Sequence, residues 1–226
     1  ASGVGVDDTA WQPVSVPHTW NALDGQDGGA NYRRGAGWYR RHHTPPADWA
    51  GRRLWLQFDG ANTVTDVWVN GIHLGQHRGG YSTFRFDATA ALTPGKDNVI
   101  AVRVSNAPVP DVAPLDADYT FFGGLYRDVS MWVTGPLAID LSDLGGPGVY
   151  VRTREVTAGS AGSSGNAGSA GSAGSAGSSG TAGTARVDVT TLVRNGGPER
   201  REFAVRSVVT DDTGRVVARA NSTARS

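Results

Sequence analysis

Few residues in this 226-residue chain can do acid–base or nucleophilic chemistry, and their placement excludes most of it. Cleaving a glycosidic bond usually takes two carboxylates at a fixed separation, one as acid and one as nucleophile or base. Glutamate occurs only as Glu155, Glu199 and Glu202. Glu155 precedes a Gly/Ser/Ala stretch and the other two flank a polar turn, so all three read as solvated surface groups and no catalytic residue is assigned. No Gly-x-Ser-x-Gly elbow is present to expose a nucleophilic serine. The five histidines are scattered as His18, His42, His43, His73 and His77. Adjacent His42 and His43 point to opposite faces of a strand, the wrong geometry for sharing a metal ion. With no cysteine, thiolate chemistry and disulfides are excluded. Neither a metal site nor a cofactor is expected.

What remains is suited to binding rather than turnover. Trp20, Trp38, Tyr39, Tyr81, Tyr119, Phe121 and Phe122 are rings of the kind that stack on the apolar faces of pyranoses, while short carboxylates and amides bond the hydroxyls. Most rings in a β-protein belong to its core, so loop positions carry the signal. Tyr119 to Phe122 follows the Pro-containing stretch Ala107 to Ala117 and precedes Gly123-Gly124, which places it on a long loop entering a strand.

The elements that must position these rings are strands. From about Trp11 to Thr157, aromatic and β-branched residues are broken by Gly, Pro, Asn or Asp at the spacing of an all-β sandwich. Leu54–Phe58, Thr65–Val69, Asp97–Val104 and Tyr126–Val133 alternate with the period of half-buried strands. Asn70-Gly71 between Val69 and Ile72 predicts a tight hairpin. Ala158 to Gly183 is too poor in apolar side chains to offset the entropy of ordering it and reads as a flexible insertion. Beyond it Ala185–Val193, Phe203–Val209 and Val216–Ala218 read as strands of a second β-domain, too few to close a sandwich by Ser226. The expected domains are therefore 1–143 and 144–226, the second interrupted at 158–184. Basic and acidic residues balance at 21 each, so neither nucleic acid nor an acidic membrane surface is expected as a partner. No apolar run approaches the length needed to cross a bilayer. Nothing fixes the compartment.

Taken in order, Val14-Ser15-Val16-Pro17-His18-Thr19-Trp20, Tyr32 to Arg41, Phe58-Asp59-Gly60, Val67-Trp68-Val69-Asn70-Gly71, Gly79 to Phe84 with Asp87, Asn98 to Val104 and Phe122 to Val129 resemble the sugar-binding domain of glycoside hydrolase family 2. The resemblance covers about Asp7 to Arg154, and the strands after the insertion look like that family's immunoglobulin-like domain. It implies an all-β chain: a jelly-roll β-sandwich, galactose-binding-domain-like, followed by a partial immunoglobulin-like β-sandwich. It further implies a later (β/α)8 barrel carrying the catalytic glutamates, so this chain alone is expected to be inactive. The parent activity implied is a retaining exo-glycosidase, foremost a β-galactosidase, acting on a terminal β-linked sugar and able to form a homo-oligomer when full length. By position in the motif, Asp118 is expected to bond a glycone hydroxyl, with Tyr119, Arg34 and Trp38 as further substrate contacts. Two other readings stand beside it: a stand-alone carbohydrate-binding or adhesion module, and a jelly roll that only braces the parent enzyme. Exposure of Tyr119 and Phe121 separates sugar contact from bracing. Arg127 and Asp128 are expected to pair and fix their strand.

Overall fold

A computed structural model describes residues 1–24, 32–113, 121–159 and 183–225, and these are all-β, with a single 3-10 turn at Ala47–Trp49. The chain falls into two units, Ala1–Gly148 with Val193–Glu202 and, separately, Val149–Leu192 with Phe203–Ala224.

The first unit is a sandwich of two antiparallel sheets. Strands β1 (Ala36–His43), β6 (Asn98–Ser105), β3 (Val64–Val69) and β4 (Ile72–Arg78) form one sheet in that order, and β5 (Phe84–Asp87), β2 (Arg53–Phe58) and β7 (Val129–Thr134) form the other. Strand alternation sends one set of side chains inward from each sheet. Leu54, Leu56, Phe58 and Phe84 meet Val67, Val69, Val102 and Val104 in one buried cluster. Phe58 and Phe84 stack with centroids 4.8 Å apart. Burying each such side chain contributes about 1.5–3 kcal/mol.

The hairpin forms where Asn70-Gly71 places it. Asn70 (φ 51°) and Gly71 (φ 80°) both take the left-handed conformation that a type I′ turn requires. Asn70 also leaves the turn's local frame, donating from Nδ2 to Ala91 O and Asn98 Oδ1, each at 2.8 Å.

One strand starts later than its alternation suggests. β7 begins at Val129 because Tyr126 and Arg127 are spent on loops: the Tyr126 hydroxyl donates to Gly80 O, and Arg127 Nη1 donates to Asp59 O at 3.2 Å and Tyr81 O at 2.9 Å. The expected Arg127–Asp128 pair does not form among the described residues; backbone carbonyls satisfy the guanidinium instead. Asp128 contributes through its own backbone, accepting from Asp59 N at 3.0 Å.

Beyond β7 the chain folds back over the outer face of the three-stranded sheet. Arg85 pins this return, donating from Nη1 to Leu141 O at 2.9 Å and Gly146 O at 3.1 Å. β8 (Leu137–Ile139) pairs with β11 (Val193–Asn195) in the same unit. The second unit holds two antiparallel ribbons, β9 (Val149–Thr157) with β10 (Thr184–Thr191), and β12 (Glu202–Thr210) with β13 (Val216–Arg225). Arg154 and Asp188 pair across the first ribbon at 2.7 Å.

Candidate functional site

Three segments meet where β1 begins and β6 ends: Thr19–Asp24, Tyr32–Gly35 and Phe121–Gly124. Two asparagines, both without solvent contact of consequence, join them. Asn21 Nδ2 donates to Asp24 Oδ2 at 2.5 Å and to Arg33 O at 2.9 Å, while its Oδ1 accepts from Asn106 Nδ2 at 3.0 Å and Gly123 N at 2.8 Å. Asn106 adds a bond to Arg33 O at 3.0 Å and accepts from Gly35 N at 2.8 Å. Buried amides with their capacity this well used hold loops in one arrangement, because any slip leaves a polar group unpaired.

Trp20 fills the space beneath. A Cβ on Gly37 would stand 2.6 Å from its ring and one on Gly123 2.5 Å, so both positions are glycine for lack of room. Arg33 lies over the Trp20 ring at 5.6 Å.

Arg34 tops the assembly. Its guanidinium sits 4.9 Å from the Tyr32 ring and 5.3 Å from the Phe121 ring, and the Tyr32 hydroxyl donates to Phe121 O. Burial raises the Tyr32 pKa above the ordinary phenol value. Arg34 itself is exposed and forms no ion pair among the described residues. An arginine held by two ring faces keeps its N–H fork available, which suits it to a carboxylate or a row of hydroxyls.

The residues expected at this site divide into three groups. Arg34 is in place. Asp118 and Tyr119 lie outside the described residues, three and two positions before Phe121. Trp38 is not joined to Arg34 by any described contact: on β1, Gly37 and Tyr39 face inward, and Trp38 takes the opposite face, where its ring meets Trp68 at 5.2 Å. Phe121 is 6% exposed, so the expectation of an exposed ring fails at this position and its burial sides with bracing: it supports Arg34 from below, whereas Phe122 is 44% exposed. Asn21, Asp24 and Asn106 escaped the sequence reading. Isolated amides in loops carry no spacing signal, and only the fold brings them together.

Residues 13–136 match the model of the glycosyl hydrolases family 2 sugar binding domain. The chain belongs to glycosyl hydrolase family 2. This family 2 chain is 43% identical over 138 residues to a β-glucuronidase of Bacteroides fragilis, covering 61% of this chain and 20% of that protein. A β-galactosidase of Thermoanaerobacter pseudethanolicus is 35% identical over 126 residues, 54% of this chain and 17% of that one. Among solved structures, a Bacteroides uniformis β-glucuronidase matches with a TM-score of 0.82 at 28% identity, over 99% of this chain and 24% of that one. The chain thus spans about a fifth of the curated relatives just named.

Proposed function

We propose that this chain is the non-catalytic sugar-binding front of a longer exo-β-glycosidase, contributing glycone contacts to an active site in a barrel that follows it. The observation that carries this reading is Arg34: an exposed cation with no ion pair among the described residues, fixed between Tyr32 and Phe121 on loops locked by two buried asparagines. Three segments are rigidly joined to present one side chain outward, an arrangement that serves a ligand better than it serves the sandwich. Asp118 and Tyr119 are proposed as the adjoining sugar contacts on the strength of their place in the family motif. Residues 144–226 are proposed to hold part of an immunoglobulin-like sandwich. Hydrolysis with retention through a glycosyl-enzyme intermediate belongs to the barrel's carboxylates, so the chain alone binds without turnover.

Between the two activities named among its relatives, a β-glucuronide is the better match to this end of the sandwich. A guanidinium with no carboxylate partner among the described residues complements a uronate, and 43% identity is to a β-glucuronidase. The β-galactoside reading rests on similarity to β-galactosidases at 35% and 34% identity. The test is hydrolysis of nitrophenyl β-glucuronide and β-galactoside by the full-length protein and by its Asp118→Ala and Arg34→Ala variants. Turnover lost on Asp118→Ala, with Arg34→Ala selectively weakening the glucuronide, supports the reading. Full activity in both variants refutes it.

A further inference from the structure

His77 faces into the sandwich. In the pairing of β3 with β4 it stands opposite Thr65, whose side chain is fully buried. The imidazole stacks on Phe84 with centroids 4.1 Å apart and planes 10° from parallel. Phe84 stacks in turn on Phe58, so His77 ends a run of three near-parallel rings that reaches into the core. The position is half-buried and would suit an apolar ring, yet a titratable one occupies it.

A loop folds back over this ring. Gly79 to Thr83 connects β4 to β5, and its Ser82 Oγ lies 3.4 Å from His77 Nε2. A Cβ on Gly79 would stand 3.3 Å from the same nitrogen. The loop also supports another segment. Gly79 N donates to Thr63 O at 2.9 Å, and Gly80 packs on Asn62 so closely that a Cβ there would stand 2.8 Å from Asn62 Oδ1. Asn62 and Gly124 exchange backbone hydrogen bonds, at 3.2 and 3.4 Å. Gly124 closes the Phe121–Gly124 segment on which Arg34 rests. Direct contacts therefore run from His77 to the Arg34 assembly.

No group among the described residues is placed to neutralise an imidazolium here. Asp66, next along β3, takes the outer face and accepts from Gln76, His73 and Arg103. Arg78, next along β4, is paired with Asp111. Arg85, next to Phe84 on β5, turns away to Gln57 and to the carbonyls of Leu141 and Gly146. Arg127 meets the loop through Tyr81 O, and Asp59 is engaged by Gln57. Thr65 and Ser82 offer hydroxyls without charge. Burial lowers the His77 pKa below the ordinary histidine value, with a backbone bond at Gly79 pulling the other way. A charge in such a place is costly unless water reaches it.

We propose that His77 is an acid-sensitive latch: neutral, it lets the Gly79–Thr83 loop close over the Phe84 stack, and protonated, it opens that loop to water, releases Asn62 and loosens the Phe121–Gly124 support of Arg34. The sign follows from linkage. The closed loop holds the imidazole at the lowered pKa and the open loop at the ordinary one. Closure is therefore complete above the ordinary histidine pKa and is lost as pH falls from that value through the lowered one. What opening does to a bound glycoside rests on the Arg34 reading; the opening itself does not.

The test is amide hydrogen exchange of the 226-residue chain between about pH 8 and about pH 5, corrected for intrinsic rates, with an NMR titration of the His77 ring. Protection at Gly79 and Gly124 should fall about tenfold across this range, while Val67 and Val102 in the core strands keep theirs. The ring should titrate below the ordinary histidine value. His77→Phe keeps a stacking ring and removes the titration, so its protection should stay at the neutral-pH level throughout; should it fail to fold, His77→Gln takes its place. His42→Ala should leave the fall unchanged, which separates it from the titration of the N-terminal segment. A ring pKa at or above the ordinary value, as attraction of an imidazolium to the Phe84 face would produce, overturns the proposal. So does a fall that persists in the His77 variants, or one shared by the core strands. Loss at Gly79 without loss at Gly124 overturns the link to Arg34. None of these readouts involves a glycoside, so they stand or fall apart from the Arg34 reading.

Discussion

Asn21 and Asn106 stand 85 residues apart in the chain, yet their amides share a 3.0 Å hydrogen bond in the interior. Neither can be replaced without stranding the other's partners. Asn106→Ala removes the acceptor for Gly35 N and one donor to Asn21, and the expected loss of stability is about 1–3 kcal/mol. Urea unfolding should show a lowered midpoint at an unchanged slope. The Asn21→Ala/Asn106→Ala double variant should lose less than the sum of the two singles. Strict additivity would mean that the two amides act separately.

Gly123 is a second constraint on the same loops. An added methyl would stand 2.5 Å from Trp20 and 2.6 Å from Asn106 Nδ2, so Gly123→Ala must displace the ring, the amide network or both. Overpacking of this kind costs about 1–3 kcal/mol. Gly5→Ala is the matched control, since nothing lies within 4 Å of its added methyl. Thermal melts that fail to separate the two variants would refute this account of Gly123.

The strands were legible because period-2 alternation and the Asn70-Gly71 turn report purely local physics. β7 misled at its start: Tyr126 and Arg127 continue the alternation, but their polar ends are claimed by the carbonyls of Gly80, Asp59 and Tyr81, which are distant in sequence. Trp38 was legible as a ring that needed explaining, and its face followed only from pairing with Arg103. Arg34 was singled out by its place in the family's loop, but its two ring neighbours, one of them 87 residues away, came only with the fold. Asn21 and Asn106 were not legible at all, because their significance lies in a contact between loops that no single segment encodes.

The N-terminal segment should show a pH optimum for order. His42 is bonded to Asp97 at 2.8 Å and lies 3.5 Å from Asp8, and the Asp97 bond raises its pKa above the ordinary histidine value. Its contribution is full below the ordinary histidine pKa and fades as pH rises through the raised folded value. Asp8 behaves oppositely, its pKa lowered chiefly by the bond from Arg40. That contribution is present above the ordinary carboxylate pKa and is lost as pH falls through the lowered folded value. Amide exchange at Val6 and Trp11 should therefore be slowest between the carboxylate and histidine ranges, after correction for intrinsic rates. His42→Ala should flatten the alkaline limb and leave the acid limb intact. A variant that alters both limbs, or neither, would contradict the division.

Arg34 separates binding from folding. Its two ring contacts lie at the surface, where a cation–π contact is worth about 0.5–1 kcal/mol, so Arg34→Ala should barely move the melting temperature of the chain. Its loss at a bound uronate should be larger, because a charge-assisted hydrogen bond contributes about 1.5–3 kcal/mol. For the full-length protein that corresponds to a fall of about tenfold or more in kcat/KM on a β-glucuronide, with the β-galactoside changed far less. Arg34→Lys keeps the charge but not the planar fork, and should recover only part of the loss. Equal losses on both glycosides would show that Arg34 orders the loop rather than reading the sugar, and a large drop in melting temperature would show that the sandwich depends on it.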